Sequence, residues 1–218
     1  ATQSIGLDAP NIRKTIMFNI SGPLCLGFSA LYCYNRKITI DELNNVLLLM
    51  GLPILSCAVY LTLYMPDMKF VLSNGNSSNT ESSGGFGPNQ VATALGLGMF
   101  IFFSRIILVS RNKLFLIINV LIMVTMTYRG LITFSRGGII TGVVMMILLL
   151  AIIYTYSKNI GRFKLLYIIG FMISLLLVTW VFTETRTEGL MSKRYTNKDA
   201  LGRVKESKFT GRENLVEG

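Results

Sequence analysis

Runs of about twenty apolar residues, separated by short polar joints, constrain the fold of this chain more than any other feature. A transmembrane α-helix needs about 20 such residues to cross the hydrocarbon core of a bilayer, where a helix satisfies its own backbone hydrogen bonds. The sequence therefore predicts an all-α, polytopic integral membrane protein. We expect about six transmembrane helices, at about 15–34, 43–64, 91–109, 114–134, 137–156 and 163–182.

Two polar segments separate or follow these spans. The stretch 65–90 is rich in Ser, Asn and Gly, which predicts a mobile aqueous loop without a packing surface. At its end, Gly87 and Pro88 are typical of a helix start, because proline fits the first helical turn. The stretch 183–218 is polar and stops in mid-pattern, so we expect it to be the start of a large loop in a longer protein.

The composition excludes an ordinary soluble domain, because 51% of the residues are hydrophobic and the mean hydropathy is +0.54. A net charge of +10 would suggest a nucleic-acid partner in a soluble protein. Here most cations lie in the short joints, so membrane topology accounts for them and no nucleic acid is expected. The three cysteines lie inside apolar runs and the chain has no histidine, so no metal site is expected.

Orientation follows from the cations in the short joints, because cytoplasmic joints carry an excess of Lys and Arg. The joints on one side carry Arg36, Lys37, Arg111, Lys113, Lys158, Arg162 and Lys164, whereas the 65–90 loop on the other side carries only Lys69. The first set is predicted to be cytoplasmic. This orientation places the 65–90 loop, the joint at 135–137 and the tail 183–218 on the outer side of the membrane.

Arg136 breaks this charge rule, because it lies in the outer Thr-Phe-Ser-Arg-Gly-Gly joint at 133–138. Its guanidinium presents five N–H donors in a fork that matches phosphate. Gly137 and Gly138 add open backbone. With Ser135 they stand at a helix start, where free N–H groups and the helix dipole favour an anion. The sequence therefore indicates an anion site, although an arginine that reaches lipid headgroups fits Arg136 equally well.

Two more arginines are candidates on the outer side. Arg129 lies seven residues before Arg136, so on a continuous helix it would share the face of Arg136 about 10 Å deeper. A reach to the membrane interface is the favoured alternative for Arg129. Thr210 and Glu213 fit a capping box, which would place Arg212 at the start of a helix. For Arg212 the alternative is a surface arginine on a solvated helix.

Three elements together resemble the O-antigen ligase family, which shares its membrane fold with the O-antigen polymerases. They are Gly-Pro-Asn-Gln at 87–90, which opens a span, the Thr-Phe-Ser-Arg-Gly-Gly joint at 133–138, and Thr-Gly-Arg-Glu at 210–213. The Ser-Arg-Gly element with the spaced Gly-Arg element is the most specific part. The resemblance covers most of the chain.

The resemblance implies a metal-independent glycosyltransferase of lipopolysaccharide biosynthesis, without a cofactor, in the bacterial inner membrane with its site facing the periplasm. Such enzymes move a glycan from an undecaprenyl-pyrophosphate-linked donor to an acceptor. The acceptor is lipid A core in the ligases and another lipid-linked glycan in the polymerases. Arg136 and Arg212 match the family's two essential periplasmic arginines, thought to hold the pyrophosphate, and Asn89 matches an asparagine common at that helix start.

One feature of the family is missing from the sequence. The family's proposed general base is a histidine further along the chain on the same side, and this sequence contains none. Either the chain ends before that position, which its abrupt stop favours, or the base is missing. In both cases we expect the fragment to be inactive alone. An O-antigen polymerase of the same fold, a transporter of an anion or lipid-linked substrate, and a purely structural membrane subunit stay open as alternatives.

Overall fold

The computed structural model describes residues 9–64, 80–110, 112–156, 159–196, 198 and 201–203. Most of the predicted outer loop, 65–79, and the predicted helix start at 210–213 lie outside the described residues. The described chain forms helices α1 (Ala9–Cys33), α2 (Ile40–Tyr64), α3 (Pro88–Leu108), α4 (Lys113–Ile132), α5 (Arg136–Tyr156), α6 (Asn159–Arg186) and α7 (Leu190–Tyr195). A short 3₁₀ helix at Glu81–Ser83 precedes α3.

In the part of the chain that the structure describes, five segments are long and apolar enough to cross a membrane, at Ile40–Tyr64, Glu81–Leu108, Lys113–Ile132, Arg136–Tyr156 and Leu166–Arg186. The predicted all-α, polytopic membrane fold is confirmed by these helices. α1 contains the first predicted span and is helical, but it is not among the five. Its apolar run is diluted by Asn19, Ser21 and Pro23, which lower its mean hydropathy.

Two compact units divide the chain, Ala1–Leu43 and Asn44–Gly218. In the first unit, a capping box starts α2. The Thr39 N–H donates to Glu42 Oε2 at 3.0 Å, and the Glu42 N–H donates to Thr39 Oγ1 at 3.2 Å. These reciprocal bonds satisfy backbone donors that the first helical turn leaves free. Arg36 pairs with the same carboxylate at 3.6 Å, so the joint after α1 is linked to the helix start.

α3 lies at the centre of the second unit. In the apolar part of α3, 61% of the residues are buried, against at most 39% in any other candidate span. α3 packs against α4 and α5. Its side chains Leu95, Met99 and Phe103 are buried in a core that also contains Met123 and Met126 of α4. Because neighbouring helices enclose α3, its first turn has a fixed position against which the neighbouring joints can pack.

Glycines bring α3 and α5 into backbone contact. A Cβ at Gly138 would collide with the backbone of Ala92, and a Cβ at Gly96 would collide with the Gly138 carbonyl. A Cβ at Gly142 would lie 2.7 Å from the Gly96 carbonyl oxygen. Small residues let helix backbones approach closely in a membrane, where lipid gives no hydrophobic drive for association. The start of α5, which carries Arg136, is therefore held against the start of α3.

The last part of the predicted mobile loop packs, so the expectation of an unpacked loop is wrong for residues 81–83. Ser82 and Ser83 are buried there. The Ser82 hydroxyl donates to the Thr133 carbonyl at 3.4 Å, and the Ser83 hydroxyl donates to the Thr80 carbonyl at 3.1 Å. Small hydroxyl side chains pack here because they bond backbone carbonyls, one nearby in the sequence and one in the turn at Thr133, and a low apolar content does not exclude this.

α6 runs past the predicted end of the sixth span at 182 and ends at Arg186. Polar threonines continue this helix because their hydroxyls bond carbonyls one turn back. Thr183 Oγ1 donates to the Thr179 carbonyl at 2.7 Å, and Thr187 Oγ1 donates to the Thr183 carbonyl at 2.8 Å. Because these hydroxyls have hydrogen-bond partners within the chain, they do not need water as a partner. α6 therefore extends beyond its apolar residues, toward the turn between α4 and α5.

Candidate functional site

A left-handed turn joins α4 to α5. Phe134 has a φ of 54°, which is uncommon for a bulky residue, and its side chain is buried in an apolar cluster with Met191. Thr133 Oγ1 donates to the Gly130 carbonyl at 2.7 Å and accepts from the Ser135 N–H at 3.3 Å. These contacts hold the turn, and α5 begins one residue after it.

A hydrogen bond joins this turn to the start of α3. The Ser135 hydroxyl donates to Asn89 Oδ1 at 2.8 Å. Ser135 is buried, whereas Asn89 is exposed in the first turn of α3, which begins at Pro88. The two residues are 46 positions apart in the sequence. The structure therefore brings together two of the predicted site residues at one end of the helical bundle.

Arg136 is the first residue of α5 and is partly exposed. The first turn of α5 has no acidic residue, so the guanidinium charge adds to the positive end of the helix dipole. Among the described residues, the salt bridge joins Arg36 to Glu42, and none engages Arg136. An uncompensated cation at a helix start attracts an anion, which is the property predicted for this joint.

The two glycines after Arg136 have different environments. Gly137 is exposed, and nothing lies within 4 Å of the place where its Cβ would be. Gly138 is buried against the backbone of Ala92 in α3. Gly137 therefore leaves open backbone beside Arg136. The expectation of open backbone is wrong for Gly138, because the lack of a side chain there lets α5 pack against the backbone of α3.

Arg129 contacts α2. Its Nε donates to Thr62 Oγ1 at 3.2 Å, and its Nη2 donates to the Thr62 carbonyl at 3.4 Å. Thr62 lies in the last turn of α2, where carbonyls have no partner within the helix, and arginines commonly bond such groups. α4 ends at Ile132, so the continuous helix that would have placed Arg129 on the face of Arg136 does not form. The contacts described for Arg129 link α4 to α2.

A further arginine, which the sequence did not single out, lies beside the turn. Arg194 belongs to the short helix α7, and its Nε donates to the Phe134 carbonyl at 3.3 Å. Burial lowers the pKa of Arg194, and the positive charge of Arg136 lowers it further. Two guanidinium groups therefore influence each other at the start of α5.

Contacts with α6 hold α7 in place. The Ser192 N–H donates to Glu184 Oε2 at 3.0 Å, so a carboxylate of α6 satisfies a donor in the first turn of α7. The rings of Trp180 and Tyr195 meet edge to face with centroids 5.0 Å apart, a favoured aromatic geometry. α7 is therefore anchored at both of its ends.

The sequence carried a weak signal for this helix. Gly189, with a φ of 77°, gives the backbone freedom to turn out of α6. Leu190 and the fully buried Met191 follow at once, and an apolar pair after a turn glycine indicates a packed helix. Arg194 nonetheless appeared as one cation in a tail of mixed charge, because its partner carbonyl lies 60 residues earlier.

Arg212, the second predicted pyrophosphate-binding residue, lies outside the described residues. In the part of the chain that the structure describes, no group of three or more His, Cys, Asp or Glu side chains could hold a metal ion. The site in the described chain therefore consists of the Ser135–Asn89 pair, Arg136, Gly137 and Arg194.

The fold and site define a multi-pass α-helical membrane protein with an arginine-bearing turn at one end of its bundle. No protein-family model, curated protein or solved structure matches the chain.

Proposed function

We propose that the intact protein is an O-antigen ligase-like glycosyltransferase. It moves a glycan from undecaprenyl pyrophosphate to lipid A core on the periplasmic face of the bacterial inner membrane. The observation that supports this proposal is the Ser135–Asn89 hydrogen bond, at 2.8 Å. This bond joins two of the three sequence elements that carry the resemblance, 87–90 and 133–138, although 46 positions separate the two residues.

The chemistry of this arrangement suits a pyrophosphate leaving group. Sugar transfer from a lipid pyrophosphate develops negative charge on the phosphate that departs. Arg136 stands at a helix start without an acidic residue in its first turn, so its charge is available to that group. A preorganised cation stabilises developing charge more than it stabilises the ground state, and so accelerates the transfer. Asn89 and Ser135 hold the turn in position for this role.

The acceptor must also lose a proton, and a general base has to lie within hydrogen-bond reach of its hydroxyl. The 218 residues contain no histidine, which is the base expected from the family resemblance. We therefore assign no general base among these residues. The same site would serve a polymerase, which differs in using a lipid-linked glycan as acceptor.

The test is to change each proposed pyrophosphate-binding arginine in the intact protein and to measure glycan attached to lipid A core in cells. Arg136→Ala and Arg212→Ala should each reduce transfer by at least about 100-fold, because each removes preorganised charge stabilisation. Arg186→Ala, which removes a cation from the end of α6, is the matched control and should retain transfer.

Near-normal transfer in Arg136→Ala, with the protein inserted at its usual level, would remove Arg136 from the site. Extended glycan that stays on the lipid carrier, in place of glycan on lipid A core, would instead identify the polymerase. Each lipid-linked product separates from lipopolysaccharide by electrophoresis, so the two activities are distinguished in the same cells.

A further inference from the structure

Arg194 is held by its backbone contact in a way that leaves most of its donors open. A guanidinium has five N–H donors, and the hydrogen bond described for Arg194 uses the one on Nε, which points to the Phe134 carbonyl at 3.3 Å. The terminal nitrogens, which form the planar fork that binds phosphate, are not used in that bond. The contact therefore orients the fork beside the turn that carries Arg136.

Arg136 is the charged group that acts on Arg194, and its positive charge lowers the pKa of Arg194. Arg194 Nε bonds the carbonyl of Phe134, two residues before Arg136, so the two arginines lie at the same turn. No salt bridge in the described part of the chain engages either of them. The carboxylate of Glu184, at the end of α6, accepts through Oε2 from the Ser192 N–H. Partly buried like charges are unfavourable unless an anion lies between them.

Tyr195 adds a neutral donor next to Arg194. Its hydroxyl is buried and has no hydrogen-bond partner in the described structure. Burial raises the pKa of Tyr195 to about 12, despite the opposing effect of the Arg136 charge. The hydroxyl therefore keeps its proton at neutral pH and can donate it in a hydrogen bond. Buried hydroxyls are normally satisfied, so this one is a candidate to bind a ligand oxygen.

We infer that Arg194 is a further phosphate-binding residue of this site, which with Arg136 grips one pyrophosphate group, while the Tyr195 hydroxyl donates to the same group. The inference rests on the proposed function in taking the anion to be the pyrophosphate of the glycan donor. It assigns a binding role to α7, which contains none of the three sequence elements that carry the family resemblance.

The test measures binding of inorganic pyrophosphate to the purified intact protein in phosphatidylcholine nanodiscs, by calorimetry. Arg194→Gln should weaken binding about tenfold or more, because hydrogen bonds between charged groups are the strong ones. Arg194→Lys keeps the charge but loses the fork and should fall between the wild type and Arg194→Gln. Arg186→Gln removes a cation from α6 and should bind within about twofold of the wild type.

Several outcomes overturn the inference. One is a wild-type protein that does not bind pyrophosphate, and another is an Arg194→Gln protein that elutes as the wild type does and binds within about twofold of it. Arg194→Lys keeps the positive charge and removes only the planar guanidinium. It therefore tests the role of the guanidinium even if Arg194→Gln does not fold. A lysine variant that folds and binds as tightly as the wild type also overturns the inference.

A second arm separates pyrophosphate from ordinary lipid headgroups as the source of the phosphate. Nanodiscs that contain phosphatidylglycerol should leave pyrophosphate affinity within about threefold of the phosphatidylcholine value. A complete loss of binding in the anionic discs would assign the two arginines to bulk headgroups and overturn the inference. If Arg194-dependent pyrophosphate binding is found but cells transfer no glycan, the proposed function fails and the inference stands.

Discussion

Ser135 connects two helix starts through one hydroxyl group. Its hydrogen bond to Asn89 has a distance of 2.8 Å, and a bond of this kind contributes about 0.5–1.5 kcal/mol to the free energy of unfolding. Because Asn89 is exposed, water replaces the lost partner when Ser135 is removed. The main effect of the bond is therefore on the position of the turn that carries Arg136, and less on stability.

Ser135→Ala should reduce glycan transfer about tenfold in the intact protein, because a small displacement of a charge-stabilising group is costly to the reaction. Its melting temperature should change little. Ser104→Ala is the matched control, since Ser104 is also buried but bonds the Ile101 carbonyl within α3. Equal losses of transfer in the two variants would show that a buried hydroxyl matters for packing alone, and no loss in Ser135→Ala would contradict its positioning role.

Individual residues of the site were predictable where a residue type and a local pattern carry the chemistry. An arginine between two apolar runs, as at Arg136, is expensive in a membrane and so stands out in any sequence. Arg194 carries the same group in a polar segment, where a cation is ordinary. Its contact is with the Phe134 carbonyl, 60 positions earlier, so the residues next to Arg194 in the sequence do not indicate that contact.

At the scale of helices, the contact between α3 and α5 depends on residues without side-chain bulk. Ala92 and Gly96 on α3 meet Gly138 and Gly142 on α5, and each pair is spaced by four residues along one helix face. Such spacing supports close helix packing in membranes. The hydropathy of α5 predicted a helix. Apolar residues lie on all sides of that helix, however, so no apolar stripe identifies the face that packs against α3.

Gly138→Ala should lower the free energy of unfolding by about 1–3 kcal/mol, because the added Cβ meets the α3 backbone, which cannot rotate away. Gly170→Ala in α6 is the control. Nothing lies within 4 Å of its Cβ position, so alanine should be neutral or stabilise the helix. Melting temperatures of the two purified proteins in detergent measure the difference. Equal temperatures would mean that α3 and α5 do not meet at Gly138.

For the whole molecule, five of the six predicted spans correspond to candidate membrane helices in the described residues, while the side of the membrane that each joint faces depends on charge. Lys113 lies at the start of α4, in the joint between α3 and α4. Asn89, at the start of α3, and Ser135, after the end of α4, lie at the other end of these two helices. The excess of Lys and Arg in short joints identifies the cytoplasmic side. A periplasmic glycosyltransferase requires Arg136 to face outward, so the orientation and the proposed function are linked.

Reporter fusions test this orientation. Gly85 precedes α3 and Asn112 follows it, and α3 belongs to a candidate span, so the two positions should lie on opposite sides of the membrane. Alkaline phosphatase, which is active outside the cytoplasm, should work after Gly85 and not after Asn112. Green fluorescent protein should fluoresce only after Asn112. Activity of one reporter at both positions would contradict the span. The reversed pattern would put Arg136 on the cytoplasmic side, where a periplasmic donor cannot reach it.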